Sequence, residues 1–311
     1  MSRRLSPLFA LIVTLSLFTR TAVSQIDPLY AQYLNNPLVI NPAYTGLNKE
    51  LNASASFRKQ WAGFDGSPTT LNFTAHSSLF GNKMGAGLMV VQDNIGENKN
   101  TLAMGTYSYK IELRKVSISF GLQAGIANYR SDNMELNIED ETDPFFAGNQ
   151  NITKPEFGAG IIFHNDYFFA GLSVPRMLKS SETFGSGIDA VEATLYTQHV
   201  YGMASYIFFL SERVRMKPSL LLKYVKGNPL SADINALFNI DERYAVGAFT
   251  RNFNTYGLLG SIKFAQSYKF SYAFEMPTNG SVGTNYTTHE LTLALSLSVF
   301  DFHDIERVNS F

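Results

Sequence analysis

Beyond residue 24 the chain is built from runs in which apolar and small or polar residues alternate one by one. In the last run Leu291, Leu293, Leu295, Leu297 and Val299 share one parity, while Thr292, Ala294, Ser296 and Ser298 share the other. Upstream, Tyr268, Phe270, Tyr272, Phe274 and Met276 oppose Lys269, Ser271, Ala273 and Glu275. Successive side chains of a strand point to opposite faces, so each run has one greasy face and one small or polar face. Fourteen such strands are expected. They are Leu51–Lys59, Thr69–Ser78, Met84–Gln92, Thr101–Leu113, Ser117–Arg130, Glu156–His164 and Tyr167–Val174. The second half comprises Thr197–Leu210, Val214–Val225, Ser231–Ile240, Tyr244–Arg251, Tyr256–Phe264, Tyr268–Met276 and His289–Phe300. A soluble sandwich with its greasy face inward gives the same alternation, so periodicity alone does not choose between architectures.

The connections do. Six joints are short: Gly81-Asn82, Arg114-Lys115, Asn165-Asp166, Ser211-Glu212, Asp241-Glu242 and Ala265-Gln266. Each follows an even-numbered strand. Joints after odd-numbered strands are mostly longer, notably Ser131–Pro155, Pro175–Tyr196 and Pro277–Thr288, although those near Gly227 and Asn254 are short. Short turns at one end and long loops at the other mark a transmembrane outer-membrane β-barrel. The predicted fold is therefore all-β, an antiparallel barrel of about 14 strands. An even strand count places both termini at the short-turn, periplasmic end. Composition agrees: only 16% of residues are charged, against 25 Phe, 16 Tyr and 23 Gly. After residue 24 no stretch is apolar for long enough to be a membrane helix.

Residues 1–24 read as a cleaved signal peptide. Arg3 and Arg4 start it, Leu8–Phe18 is its apolar run, and Ala22-Val23-Ser24 is its small-residue cleavage site before Gln25. Without Arg3, Arg4 and Arg20 the 25 basic residues fall to 22, against 26 acidic ones, a formal charge of −4. Nothing there suggests nucleic-acid binding. Cysteine is absent, which excludes disulfides, thiolate metal sites and thiol nucleophiles.

Residues 25–50 form an extension ahead of the barrel, 51–300. Its core, Gln25–Gly46, interleaves Pro28, Pro37 and Pro42 with Tyr30, Tyr33 and Tyr44 and with Asn35, Asn36 and Asn41. The prolines exclude an ordinary helix and restrict any strand to short pieces. So many apolar and aromatic residues argue against a solvated tail. The extension is expected to be ordered, filling the lumen or facing periplasmic machinery, with the polar lumen better suited to its tyrosines and asparagines. Tyr30, Tyr33, Asn41 and Tyr44 are its candidate contacts. Gln60 and Trp61, just beyond the first strand, either anchor at the membrane interface, where tryptophan is enriched, or pack in a partner-contacting loop.

With the greasy face toward lipid, Arg215, Lys217, Lys223, Asp233, Lys263, Lys269 and Glu275 fall on the inner face. A charge facing lipid at the midplane costs about 2–4 kcal/mol. These seven residues form either a structural ion-pair network or a lumenal site for an anionic or peptide ligand.

Catalytic patterns are lacking. The five histidines are scattered, and there is no G-x-S-x-G elbow or P-loop. Gly85-Ala86-Gly87 and Gly158-Ala159-Gly160 resemble fragments of a dinucleotide motif, but they lie inside strands with no following helix, where glycine serves close packing or bending. No cofactor is expected. The acidic stretch Asp132–Asp143 lacks EF-hand spacing and reads as a solvated outer loop, with calcium as the alternative.

QIDPLYAQYLNNPLVINPAYTG at Gln25–Gly46 resembles the mature start of the PorP/SprF family, outer-membrane proteins tied to type IX secretion and gliding in Bacteroidetes. The similarity continues, in the family's order, with FRKQWAGFDGSPTT at Phe57–Thr70 and GLMVVQDNIG at Gly87–Gly96. SISFGLQAGIANYRSD at Ser117–Asp132, DPFF at Asp143–Phe146, MKPSLLLKY at Met216–Tyr224 and His289-Glu290-Leu291 follow. It covers nearly all of the mature chain. Two segments depart from the pattern: Pro175–Tyr196, and the tail 301–311, so that either Phe300 or Phe311 is the terminal aromatic. The resemblance implies a non-enzymatic barrel that helps secrete, retain or anchor a cargo adhesin with a C-terminal sorting domain. It also implies contact with the periplasmic ring lipoproteins and translocon. Two other readings stand beside it, a channel for small anionic solutes, suited to the basic excess among the seven inner residues, and a lipid-modifying membrane enzyme, which lacks a nucleophile and base pair.

Overall fold

The first and last strands hydrogen-bond to each other, and this closes the sheet into a barrel. In the computed structural model, which describes residues 31, 33, 35–131, 149–184, 191–278 and 285–303, β1 (Leu51–Lys59) pairs antiparallel with β17 (Thr288–Leu297), from Leu51↔Leu297 to Lys59↔His289. The order then runs β2 (Thr69–Leu79), β3 (Met84–Ile95), β4 (Asn98–Glu112), β5 (Ser117–Ser131), β6 (Gln150–His164) and β7 (Phe168–Val174). Strand β10 (His199–Tyr206) joins β7 on one side and β12 (Val214–Val225) on the other. The two-residue β11 (Phe208–Phe209) continues β10 beyond Ile207 along the same neighbour. β13 (Ser231–Ile240), β14 (Tyr244–Arg251), β15 (Thr255–Phe264) and β16 (Tyr268–Pro277) complete the circuit. With β10 and β11 taken as one strand, the barrel has fourteen, all antiparallel. β8 (Ser180–Phe184) and β9 (Val191–Tyr196) form a separate hairpin in the connection after β7.

Parity sorts the side chains as alternation demands. On β2, Thr70, Asn72, Thr74, His76 and Ser78 are buried, while Leu71 and Phe73 are exposed to the lipid side. The same holds on β17, where Thr288, Glu290 and Thr292 are buried and Leu291 and Leu293 are exposed. Exposed apolar side chains ring the outer surface because lipid, not water, is their solvent.

Several boundaries differ from those expected. β3 and β4 extend toward each other until Ile95 pairs with Asn98, so the joint between them is a two-residue turn rather than a longer loop. β6 begins at Gln150 and carries Pro155 within the strand. The eighth expected strand is interrupted at Ile207. The last strand stops at Leu297, not Phe300. Beyond it Phe300 and Phe302 stack with centroids 5.1 Å apart, and the chain crosses to the β2–β3 turn, where Asn82 Nδ2 donates to Phe302 O at 2.6 Å. The proposed signal peptide 1–24, Tyr30, the acidic stretch 132–143 with its calcium alternative, and residues 304–311 lie outside the described residues.

Candidate functional site in the barrel lumen

The inner wall faces the N-terminal extension. Pro37 and Pro42 each start a single 3-10 turn, Pro37–Val39 and Pro42–Tyr44, because proline pre-sets the helical φ and its missing N–H is not needed at a first position. Asn41 caps the second turn: its Oδ1 accepts from Ala43 N at 3.0 Å. Its Nδ2 donates to Ile161 O and Leu172 O, both at 3.3 Å, which ties the turn to β6 and β7. Leu38, Asn41 and Ala43 are fully buried.

The wall is shaped to receive this segment. A Cβ added to Gly85, Gly121 or Gly160 would collide with Thr45 O, Ala43 N or Asn41 Oδ1. Ser108 Oγ donates to Thr45 O at 2.6 Å, Ser119 Oγ to Ala43 O at 2.7 Å, and Ser173 Oγ to Ile40 O. Glycines thus let the extension approach the wall, and serines satisfy its carbonyls, which would otherwise be buried without partners. At the exit, Gly46 N donates to His76 Nδ1 at 3.0 Å. One sector of the wall is apolar, contrary to the expectation of a polar interior. Met89, Val91, Met104, Ile162, Phe169 and Met203 pack with Leu38, Val39 and Tyr44, since they meet protein there and not water. Tyr44 OH donates to Asn48 Oδ1 at 2.9 Å.

Opposite lies a buried charged cluster. Arg58 makes a bidentate pair with Glu275 at 2.8 and 2.9 Å and reaches Glu290 at 3.1 Å. Arg251 pairs with Asp233 at 2.8 Å and lies 3.7 Å from Glu275. The extension joins this cluster where Ala31 N donates to Glu290 Oε2 at 2.8 Å. Outside the cluster, Asn235 Nδ2 donates to Tyr33 OH at 2.9 Å and Lys269 Nζ to Asn35 Oδ1 at 2.7 Å.

Of the seven inner residues named from sequence, Asp233 and Glu275 are members of the cluster. Lys217 and Lys223 are buried on β12, Lys263 and Lys269 are half-buried on β15 and β16, and Arg215 pairs with Glu242 of the β13–β14 turn at 2.6 Å, at the short-turn rim. Arg58, Arg251 and Glu290 were not among the seven, although the same inner-face parity on β1, β14 and β17 identifies them. Tyr33, Asn41 and Tyr44 are together in the lumen. Gln60 and Trp61 are not with them: they lie in the β1–β2 loop at the opposite end, where Trp61 N donates to Thr288 Oγ1 at 3.2 Å.

Above the extension, toward the long loops, Pro175 and Arg176 turn inward. Gln123 Nε2 donates to Pro175 O at 2.6 Å, and Arg176 pairs with Glu156 at 2.7 Å, bonds Tyr129 OH and stacks 3.6 Å from the Tyr196 ring centroid. Between this segment and Val39 remains a cavity of about 60 Å³.

The barrel and its extension are matched together by one known family. The family described as "Type IX secretion system membrane protein PorP/SprF" matches residues 22–295, from before the extension to near the end of β17. The chain belongs to the PorP/SprF family. It is an outer-membrane protein. No curated protein matches it. Among solved structures, the CymD monoaromatic hydrocarbon channel aligns with a TM-score of 0.50 at 11% identity, covering 88% of this chain and 94% of its own. A TodX monoaromatic hydrocarbon channel mutant gives 0.48 at 11% identity over 86% and 94%, and the KdgM porin 0.36 at 13% over 79% and 99%. The CymD similarity is one of fold.

Proposed function

We propose that this protein is a non-enzymatic component of type IX secretion that helps secrete, retain or anchor a cargo adhesin, one bearing a C-terminal sorting domain, at the cell surface. Family membership supports the secretion role. The observation that carries anchoring over conduction is the lumen: the extension is bonded to β1, β2, β4, β5, β6, β7, β13, β16 and β17. A conducting pore would need that segment displaced. The long-loop end then meets cargo outside, and the short-turn end meets the ring lipoproteins and translocon.

The test is a clean deletion followed by surface labelling of the adhesin encoded nearest the gene. Loss of display, restored by complementation, is expected. Undiminished display would overturn the reading. Planar-bilayer recording of the purified barrel addresses the anion-channel alternative, for which steady anion-selective conductance would be the signature.

A further inference from the structure

At the short-turn end, beside the exit of the extension, is an open pocket of about 490 Å³. Its floor is the end of the extension itself, Leu47 to Lys49, and its sides are the β4–β5 and β6–β7 turns. These turns are organised: Asn165 Oδ1 accepts from Tyr167 N and Phe168 N, both at 2.9 Å, and Leu113 N donates to Val116 O at 3.0 Å. Lys49, Lys110, Arg114 and Lys115 line the pocket against Glu112 and Asp166, an excess of two positive charges in a chain that is net negative. Lys110 is buried and held by Glu112 at 2.9 Å, whereas Arg114 and Lys115 are exposed on the turn. Leu47, Leu113, Val116 and Tyr167 add an apolar wall.

We infer that this pocket binds a short acidic peptide segment of a periplasmic protein, and that the bound segment touches the end of the lumenal extension. The volume falls in the range of ligand pockets, whereas a single phosphate would fill only a fraction of it. The mixture of apolar wall and cationic rim suits a peptide that alternates carboxylates with apolar side chains. Complementary charge steers such a partner to the site and makes binding salt-dependent. This does not depend on the cargo reading, and neither fails with the other.

The full-length chain in detergent is titrated with a fluorescent hexapeptide of alternating Asp and Leu, beside Ser-Leu and Lys-Leu controls, at low and high salt. Saturable binding of the acidic peptide alone is expected, weakened tenfold or more in Arg114→Glu/Lys115→Glu. Heat-modifiable migration on gels confirms that this variant still forms a barrel. Because the chain has no cysteine, Asn48→Cys gives a single labelling site on the extension. Its fluorophore should respond to the acidic peptide. Equal binding of acidic and neutral peptides, undiminished binding to the double variant, or competition by millimolar phosphate or short-chain phosphatidylglycerol would overturn the inference.

Discussion

The side-chain oxygen of Asn41 occupies the space that a Cβ at position 160 would need. A residue in the extension and a glycine on β6, more than a hundred positions apart, are therefore fitted to one another. The extension is built into the barrel and is not merely tethered to it.

Substitution of that glycine should uncouple the two parts. Gly160→Val or Gly121→Val places a side chain where Asn41 or Ala43 now lies, and such overpacking costs about 1–3 kcal/mol. The outward face is unaltered, so the barrel should still assemble. Raised conductance and faster protease cleavage within residues 31–47 are expected. A variant as closed and protected as the parent would show that the extension adjusts without leaving.

Asn41→Ala removes the cap on Ala43 N and both bonds to Ile161 O and Leu172 O. Only the buried Ala43 N–H is left unpaired, at a cost of about 1–3 kcal/mol, because Ile161 and Leu172 stay paired in the β6–β7 ladder. The expected outcome is a lower urea midpoint for loss of protection in the extension, with the barrel's own unfolding little changed. A single unshifted transition would contradict it.

The cluster around Arg58 should be sensitive to removal of one partner. Arg58→Ala takes from buried Glu275 its bidentate partner and from Glu290 its guanidinium contact, a loss of about 3–5 kcal/mol by the general behaviour of such pairs. Glu275→Gln keeps the shape and should cost less. Denaturation of refolded protein in lipid vesicles measures both, and equal stability of Arg58→Ala and parent would sink the argument.

Deletion of Ile26–Tyr44 tests the extension as a whole. Conductance should rise if the segment closes the pore. If the deleted barrel stays as closed as the parent, closure belongs to the loops, beginning with Pro175–Arg176.

The barrel was legible because its signal is local. Leu291, Leu293 and Leu295 on one parity, with Thr292 between, report their surroundings two residues at a time, and lipid outside imposes one rule on every strand. The interior obeys no such rule. Met89 and Ile162 sit on the inner face beside Thr106 and Ser119, because what they face is the folded extension, and no period in β3 or β6 encodes that. Strand ends also escaped detection. Asn98 and Lys99 are polar on both faces, yet they pair with β3 above the lipid, where alternation loses its cause.

For the extension, sequence determined what it could not be: three prolines in Gln25–Gly46 excluded a long helix or strand, and its aromatic content excluded a solvated tail. It also supplied the glycines and serines of the wall without revealing their purpose. The tertiary structure decided where the segment goes, by bringing Ala31 to Glu290 across 259 positions and Asn41 to Ile161 across 120. Such contacts form only once the strands close into a ring, since only then do separate inner faces become one surface that the extension can fit.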